Sequence, residues 1–376
     1  MGQPADQPLP AAQRPLSRPR GDNAAMRSDP ALEALLLPLS TGLCPRPGPE
    51  GRVLFLRARE GAVLHALGMR QSLACVQPFK PWADDLERAG FEVRPEPGAN
   101  AQASQVWLLP PRQREEARAL MARAFDACLP GGIVLVAAAN DEGAKSLEGD
   151  FRKLAGGLDG GLSKFHCRVF WARRDDARLD AGLLAQWRLA DAPRPILDGR
   201  FTSRPGVFAW NRIDAGSALL ARHLPTGVEG VAADLGAGWG YLADALLEAN
   251  PGISAIDLHE ADARALALAG RNLERHGSRV RGLHWHDVTA GLPAGSRYDL
   301  VISNPPFHDT GKSAQPAIGQ RFIEVAAGAL APGGELRLVA NAHLPYESLL
   351  ATRFQHVRQV VAAEGYKVIE ARGPRR

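Results

Sequence analysis

The chain has 376 residues, of which 45% are hydrophobic and 23% are charged, and its formal net charge at pH 7 is +4. This length accommodates two domains with ordinary cores, and the composition is that of a globular protein rather than a disordered chain. No apolar run approaches the ~20 residues that a membrane helix needs, so we expect no membrane partner. The net positive charge fits a nucleic-acid partner without requiring one.

The chain begins with a segment, residues 1–28, that is rich in Pro, Gln, Arg and Ala. It has no apolar face and no signal-peptide core, so we predict a disordered tail. The cysteines are scattered and show no C-x-x-C spacing; they are Cys44, Cys75, Cys128 and Cys167. This usage indicates a reducing compartment, so we expect a cytoplasmic protein without a metal ion.

An α/β pattern covers residues 29–182. Short apolar runs alternate with helix-like segments, which predicts a parallel sheet flanked by helices. The predicted strands lie at residues 53–56, 72–77, 105–109, 130–137 and 164–173, with helices at residues 84–90 and 113–128. Gly61 is the single glycine where a nucleotide-binding turn would carry several, so this unit is predicted to lack a ligand-binding turn.

Residues 183–200 contain Pro193 and Pro195 and are predicted to be a linker. A second α/β unit follows, at residues 201–376. Its first feature is a Pro-Gly-Val-Phe segment that ends at Phe208 and precedes the first strand. In a doubly wound sheet such a segment can pass over the ligand-binding edge, which makes Phe208 a candidate substrate contact.

A glycine-rich turn connects the first strand of the second unit to a helix. Gly236, Gly238 and Gly240 follow one another at every second position, and Asp234 precedes them. Such a turn lets the backbone approach a ligand and directs free N–H groups at it. The dinucleotide fingerprint G-x-G-x-x-G does not fit, because Tyr241 occupies the place of its last glycine.

A second motif follows the predicted strand Tyr298–Ser303. This buried run leads into Asn304, two prolines and Phe307. Prolines cannot donate to a sheet ladder, and the second restricts the first, so the strand must stop in a stiff loop. In an open α/β sheet this is the edge at which ligands bind.

The two halves of the chain repeat the same order of elements. In each, a strand stopped by two prolines is followed by a helix, a Pro-Gly-Gly turn and a further strand, with the copies roughly 200 residues apart. The first copy carries Leu109 where the second carries Asn304. We therefore predict a duplicated α/β unit whose N-terminal copy has lost its site.

Together, the Asp-x-Gly-x-Gly-x-Gly turn and the Asn-Pro-Pro-Phe loop resemble the class I S-adenosylmethionine-dependent methyltransferases that act on exocyclic or amide nitrogens. Residues 200–371 as a whole resemble the small-subunit ribosomal RNA guanine-N2 methyltransferases and, more loosely, their large-subunit relatives. The motifs that carry this resemblance lie at residues 205–208, 214–217, 304–309, 333–341 and 343–346.

The resemblance implies two tandem Rossmann-like class I methyltransferase domains, the N-terminal one degenerate. It further implies S-adenosylmethionine-dependent methyl transfer to the exocyclic N2 of a guanosine in 16S rRNA. The implied partner is the small ribosomal subunit, and the expected state is a monomer.

Site roles follow from the resemblance position by position. The three glycines would approach the amino-acid part of S-adenosylmethionine, and Asp234 would fix their loop or meet the ammonium group. Glu260 would accept the ribose hydroxyls, with Asp257 as the alternative, and Asp287 would accept the adenine amino group. Trp239 departs from the small residue that is usual there, and we expect it to point into the core.

Asn304 is the predicted catalytic residue. Its side-chain oxygen and the Pro305 carbonyl would accept the two N–H groups of an exocyclic amine and aim the nitrogen lone pair at the methyl group. Pro306 would stiffen the loop, and Asn304 would also border the cofactor. Phe307 would stack on a flipped base, with His308 as a substrate contact. A proton-transfer pair of His308 with the adjacent Asp309 stays open.

Other functions remain possible at this point. The loop geometry suits adenine N6 or a large-subunit guanine N2 equally well. Protein-glutamine methyltransferases also use an Asn-Pro-Pro loop, although it typically ends in Tyr rather than Phe307. A non-catalytic RNA-binding assembly factor is the remaining class, and the intact glycine turn and Asn304 argue against it.

Overall fold

The computed structural model describes residues 29–48, 50–98, 101–306 and 316–375. The predicted tail, residues 1–28, lies outside this part of the chain. Two seven-stranded sheets, each flanked by helices, account for most of the described residues. None of the described helices has the length and apolar character needed to cross a bilayer.

The first sheet and its helices are formed by residues 30–188. The helices and strands are α1 (Pro30–Thr41), β1 (Val53–Leu56), α2 (Ala62–Ala66), β2 (Leu73–Val76), α3 (Lys80–Arg88), β3 (Glu92–Arg94), β4 (Ala103–Leu108), α4 (Arg114–Ala127), β5 (Cys128–Ala139), α5 (Ala144–Ala155), β6 (Gly160–Lys164), β7 (Cys167–Arg173) and α6 (Ala181–Arg188).

A two-stranded hairpin and the second sheet follow. Their elements are β8 (Arg194–Ile196), β9 (Phe201–Ser203), α7 (Ala215–Arg222), β10 (Gly230–Leu235), α8 (Tyr241–Ala249), β11 (Ile253–Glu260), α9 (Ala263–Asn272), β12 (Val280–Trp285), β13 (Tyr298–Ser303), α10 (Pro316–Ala329), β14 (Leu330–Asn341), α11 (Glu347–Arg353), β15 (Phe354–Ala363) and β16 (Tyr366–Pro374).

Both sheets have the same topology. The strand orders are β3-β2-β1-β4-β5-β7-β6 and β12-β11-β10-β13-β14-β16-β15, so each element of one sheet has a counterpart in the other. Five strands in each sheet are parallel, and the last two in chain order pair antiparallel at one edge. The prediction of two tandem Rossmann-like units is confirmed.

Each sheet is buried on both faces, which explains the continuous apolar runs of its central strands. In β1, Val53 and Phe55 pack into one cluster and Leu54 and Leu56 into the cluster on the opposite face. The second sheet divides in the same way, with Ala233 of β10 on one side. The parallel strands of each sheet end at one edge, and that edge of the second sheet carries the predicted site.

The segment predicted to be a linker, residues 183–200, contains regular secondary structure. Helix α6 runs through its first residues, because Asp180 caps the helix and Leu184 and Trp187 are buried against the first sheet. The remaining residues contain β8, whose partner β9 is held to the second unit. The linker segment is therefore divided between the two cores.

The predicted strand at residues 164–173 is also corrected. The chain forms a hairpin there, β6 and β7, that turns at Phe165 and His166, both of which have positive φ. A turn formed by two non-glycine residues with positive φ carries no Gly or Asn signal, which explains why the pattern predicted one strand.

Candidate active site

The glycine turn lies between β10 and α8, at the carboxyl edge of the second sheet. Gly236, Gly238 and Gly240 have φ values of 77°, 55° and 91°, which L residues rarely adopt. A Cβ on Gly238 would meet no atom within 4 Å, so the backbone there faces open space. Gly236 and Gly238 line a cleft that extends to Asn304, at the end of the neighbouring strand.

Asp234 lies beneath the turn and is fully buried. Neither of its carboxylate oxygens has a hydrogen-bond partner of good geometry. Burial and, to a smaller extent, the nearby Glu260 carboxylate raise the pKa of Asp234 to about 8. A buried carboxylate without a partner is costly, and a cationic group of a ligand would relieve that cost.

Glu260 ends β11 and is tied to the same turn. Its side chain accepts hydrogen bonds from the Gly238 N–H (2.7 Å) and the Asp262 N–H (2.8 Å). Burial raises the pKa of the Glu260 carboxyl group. The carboxylate therefore sits beside the glycine turn at the strand end, where ribose hydroxyls can reach an acidic group in this fold class.

Asp257, the alternative for that role, is engaged elsewhere. It lies inside β11, and its oxygens accept hydrogen bonds from Arg281 Nε (3.0 Å) and the Tyr298 hydroxyl (3.0 Å). Burial opposes its ionisation, but these donors outweigh burial and lower the pKa of Asp257. The geometry favours Glu260 over Asp257.

Asp287 follows β12 at the same edge. Its Oδ1 accepts hydrogen bonds from the Thr289 N–H (2.8 Å) and the Thr289 hydroxyl (2.6 Å). Within the described residues its Oδ2 accepts no hydrogen bond, so one oxygen remains for a ligand amino group.

Two aromatic residues flank the cleft in different ways. Trp239 is buried and packs edge-on against Phe201, with ring centroids 5.1 Å apart, so the expectation that it points into the core is confirmed. Phe208 also lines the cleft, yet it is 67% exposed, and Ala209 beside it has a positive φ of 48°. An exposed aromatic ring at the mouth of a cleft is suited to stacking on a flat ligand.

Asn304 is held in a defined orientation at the end of β13. Its Nδ2 donates hydrogen bonds to Asp214 Oδ2 (3.0 Å) and Ser217 Oγ (2.8 Å). With both N–H groups used, Oδ1 is the group that Asn304 offers to the cleft. The sequence predicted Asn304 but assigned no role to Asp214 and Ser217.

The rest of the Asn-Pro-Pro-Phe loop is described only in part. Pro305 is buried and Pro306 is exposed. Phe307, His308 and Asp309 lie outside the described residues, so their predicted roles stay predictions.

One group of side chains near the site has the composition of a metal site. Ligand atoms of Asp257, His259 and His284 lie within 4.8 Å of one another. The two histidine rings stack with planes 14° apart, so their ring nitrogens do not converge on one point. Asp257 is already paired with Arg281 and Tyr298. This arrangement favours a hydrogen-bonded cluster, and the absence of a metal stays a prediction.

Comparison with known proteins identifies the family. The profile of the family called Methyltransferase small domain matches residues 198–370. The chain is 34% identical over 292 residues to a ribosomal RNA small subunit methyltransferase C from Pseudomonas paraeruginosa, covering 76% of this chain and 83% of that protein. The chain belongs to the ribosomal RNA small subunit methyltransferase C family.

Two further comparisons bear on the extent of the likeness to this family. A ribosomal RNA large subunit methyltransferase G from Alcanivorax borkumensis is 37% identical over 194 residues, which are 50% of this chain and 48% of that protein. The solved structure of a T. thermophilus 16S rRNA N2 methyltransferase (RsmC), in complex with AdoMet and guanosine, superposes with a TM-score of 0.73 at 25% identity. That match covers 96% of this chain and 97% of the other, so both tandem units are shared.

Proposed function

We propose that this enzyme transfers a methyl group from S-adenosylmethionine to the exocyclic N2 of a guanosine in 16S rRNA of the small ribosomal subunit. The observation that carries the proposal is the orientation of Asn304. Its amide nitrogen donates to Asp214 and Ser217, which leaves the amide oxygen of this cleft-lining residue as the acceptor for a substrate N–H.

The residues at this edge fit S-adenosylmethionine. The unpartnered Asp234 carboxylate suits the ammonium group, directly or through the turn. The open space at Gly238 admits the methionine part, Glu260 suits the ribose hydroxyls, and Asp287 suits the adenine amino group. When bound, the cofactor supplies an electrophilic methyl group on a sulfonium sulfur.

The protein's contribution to the reaction is positioning. An exocyclic amine on a purine is a weak nucleophile, because its lone pair is delocalised into the ring. Asn304 Oδ1 and the Pro305 carbonyl each accept one N–H, which draws the nitrogen toward tetrahedral geometry and aims its lone pair. Alignment of this kind lowers the barrier of an in-line displacement without a strong base.

The base must leave its helix to reach this loop, because an exocyclic amine in a stacked duplex cannot approach Asn304. Phe307 is the proposed stacking partner of the flipped base, and the exposed Phe208 is proposed as a second aromatic contact at the mouth of the cleft. His308 is proposed as a further substrate contact.

Support for guanine N2 comes from the relatives. Asn304 selects an amine with two N–H donors, a condition that adenine N6 and a glutamine side chain also satisfy. A relative that matches 76% of this chain is a small subunit methyltransferase C, and the T. thermophilus enzyme is an N2 methyltransferase of G1207 in 16S rRNA. We propose that this chain methylates the same atom, N2 of guanine.

The remaining assignments follow from this reaction. The substrate is ribosomal RNA, and we propose that it is presented in the small subunit. We propose a monomer, since the two tandem units pair with each other within one chain. A methyl displacement from sulfur requires no metal ion, and the location of ribosomal RNA supports a cytoplasmic enzyme.

The test uses purified protein, small-subunit particles and S-adenosylmethionine labelled in the methyl group. Digestion of the RNA should give labelled N2-methylguanosine. The Asn304→Ala variant should lower turnover roughly 10²-fold or more with nearly unchanged cofactor affinity, because a polar contact at the reacting atom is lost. Label in N6-methyladenosine would overturn the guanine assignment, and label in a protein glutamine would overturn the RNA assignment.

A further inference from the structure

The two tandem units contact each other through equivalent loops. By strand register, Val76 at the end of β2 corresponds to His259 near the end of β11. The loop at residues 77–80 therefore corresponds to the loop at residues 260–263. These loops pair antiparallel across the interface, with the Lys80 N–H donating to the Ala261 carbonyl (2.8 Å) and the Ala263 N–H to the Pro78 carbonyl (2.9 Å).

The first residue of each loop performs the same local task. Glu260 accepts the N–H groups of Gly238 and Asp262. In the first unit, Gln77 donates to the Ala58 carbonyl (2.7 Å) and accepts the Phe79 N–H (3.0 Å). The carboxylate of the cofactor-binding unit is thus replaced by a neutral amide in the other unit, and the interface has approximate two-fold symmetry.

The edge of the first unit that corresponds to the glycine turn carries an arginine, which lines a cleft there. Arg57 stands where Gly236 stands in the second unit and keeps the left-handed conformation, with φ of 59°. Its guanidinium lies 3.3 Å from Glu116 of α4, and the same carboxylate pairs with Arg264 of the second unit. Glu116 and Arg264 are buried, and together with Arg57 they line a cleft between the two units.

The chain of contacts continues to the loop that holds Glu260. Arg264 pairs with Asp262 through two bonds, Nε to Oδ1 (3.0 Å) and Nη2 to Oδ2 (2.6 Å). The Ala261 carbonyl also accepts a hydrogen bond from Trp285 Nε1 (2.9 Å), which reaches the Pro78 carbonyl as well (3.0 Å). The backbone on both sides of Asp262 is therefore fixed by the first unit.

We propose that the N-terminal unit forms part of the cofactor site by positioning the loop that carries Glu260. The inference rests on the proposed function, in which Glu260 accepts the ribose hydroxyls. The Asp262 N–H holds the Glu260 carboxylate, and Pro78, Lys80 and Glu116 hold the segment that contains Asp262. The degenerate unit acts on the affinity for S-adenosylmethionine and touches none of the reacting atoms.

The first test removes one interface hydrogen bond. Lys80→Pro deletes the N–H that donates to Ala261, at the first position of α3, where proline is tolerated. Lys80→Ala is the matched control, because it removes the side chain and keeps the N–H. Isothermal titration of the full-length protein with S-adenosylmethionine should show a dissociation constant about three- to tenfold higher for Lys80→Pro and nearly unchanged for Lys80→Ala.

The second test removes the buried charge at the interface. Glu116→Gln keeps the shape of the side chain but weakens its pairs with Arg57 and Arg264. Asp150→Asn is the control, since Asp150 is a buried carboxylate paired with arginines inside the first unit, away from the interface. Glu116→Gln should raise the KM for S-adenosylmethionine and leave kcat at saturating cofactor unchanged, whereas Asp150→Asn should lower the melting temperature only.

The outcomes separate this inference from the proposed function. If the wild-type protein binds S-adenosylmethionine and Glu260→Ala weakens that binding, but both interface variants bind like their controls, the inference is overturned and the function stands. If Glu260→Ala binds like wild type, the inference also fails. Absence of cofactor binding by the wild-type protein would overturn the proposed function itself.

Discussion

At the scale of single residues, the Asn304 amide is oriented by groups far away in the sequence. Asp214 and Ser217 lie at the start of α7. Asp214 caps this helix by accepting the Ser217 N–H (2.9 Å). The Asp214 carboxylate can only accept, so a 180° rotation of the Asn304 amide would lose this hydrogen bond and place two oxygens together. We therefore expect the selectivity of Asn304 for a donor substrate to depend mainly on Asp214.

This orientation predicts a rescue. Asn304→Asp places two carboxylates about 3 Å apart, at the position of the present bond, and should nearly abolish turnover. Asp214→Asn in that background supplies a donor to the new carboxylate and still caps α7. The double variant should regain about tenfold or more of turnover over Asn304→Asp, measured with labelled cofactor and small-subunit particles.

The matched control for this rescue is Asp214→Asn alone, which can still accept a hydrogen bond from Asn304 and should retain most activity. Equal turnover of the double variant and Asn304→Asp would show that Asp214 caps the helix and does not orient the catalytic amide.

Asp234 predicts a pH dependence of cofactor binding. Its pKa of about 8 means that the carboxyl group is largely protonated at pH 7 in the free protein. Pairing with an ammonium group requires the carboxylate, so binding should release about one proton at pH 7. Below pH 8, the affinity for the cofactor should increase by up to ~10-fold for each unit by which the pH increases. Titration calorimetry in buffers of different ionisation enthalpy measures this release.

Asp234→Asn is the control, since a neutral amide has no proton to release. If the wild-type protein releases no proton on binding, Asp234 fixes the glycine loop and does not meet the ammonium group. The protein would then bind the cofactor with little dependence on pH in this range.

At the scale of elements, the glycine turn should be intolerant of side chains at the cleft. Gly238→Arg places a long side chain in the space that the cofactor needs, so S-adenosylmethionine binding should be lost. Gly333→Arg is the control, because Gly333 has a similarly positive φ of 80° and open space around it, in a turn away from the cleft. Cofactor binding by Gly238→Arg at wild-type affinity would remove the turn from the site.

The elements differ in how far their sequences predict them. Strands β4 and β13 follow from buried apolar runs that stop at two prolines. Helix α1 continues through Pro38 to Thr41, because burial of Leu39 outweighs the backbone hydrogen bond that proline cannot make. Helix α6 has only eight residues, and its burial depends on contacts with the first sheet.

Some residues of the candidate site could be predicted from the sequence, and others could not. The sequence alone identified the candidates that lie in local motifs, namely Asp234, the three glycines, Glu260 and Asn304. The partners of Asn304 lie 87 and 90 residues before it, and only the fold brings them together. Residues 214–217 entered the sequence analysis only as a motif of the family resemblance, which does not reveal that Asp214 and Ser217 contact Asn304.

At the scale of the whole molecule, the two units share one topology and differ at their ligand-binding edges. The second unit keeps glycines, Glu260 and Asn304, whereas the first has Arg57, Gln77 and Leu109 at the equivalent positions. These replacements remove the groups of a cofactor site and introduce Arg57, whose partner Glu116 also pairs with Arg264 of the second unit. On the two proposals made above, duplication left one catalytic edge and one edge that supports it.

The central claim is that this enzyme, through Asn304, methylates guanine N2 in 16S rRNA. The most direct measurement is mass-spectrometric nucleoside analysis of 16S rRNA from cells that lack the gene, complemented with the wild-type or the Asn304→Ala protein. One N2-methylguanosine should be absent without the gene, restored by the wild-type protein and not by Asn304→Ala expressed at the same level. Unchanged N2-methylguanosine in cells without the gene would contradict the account.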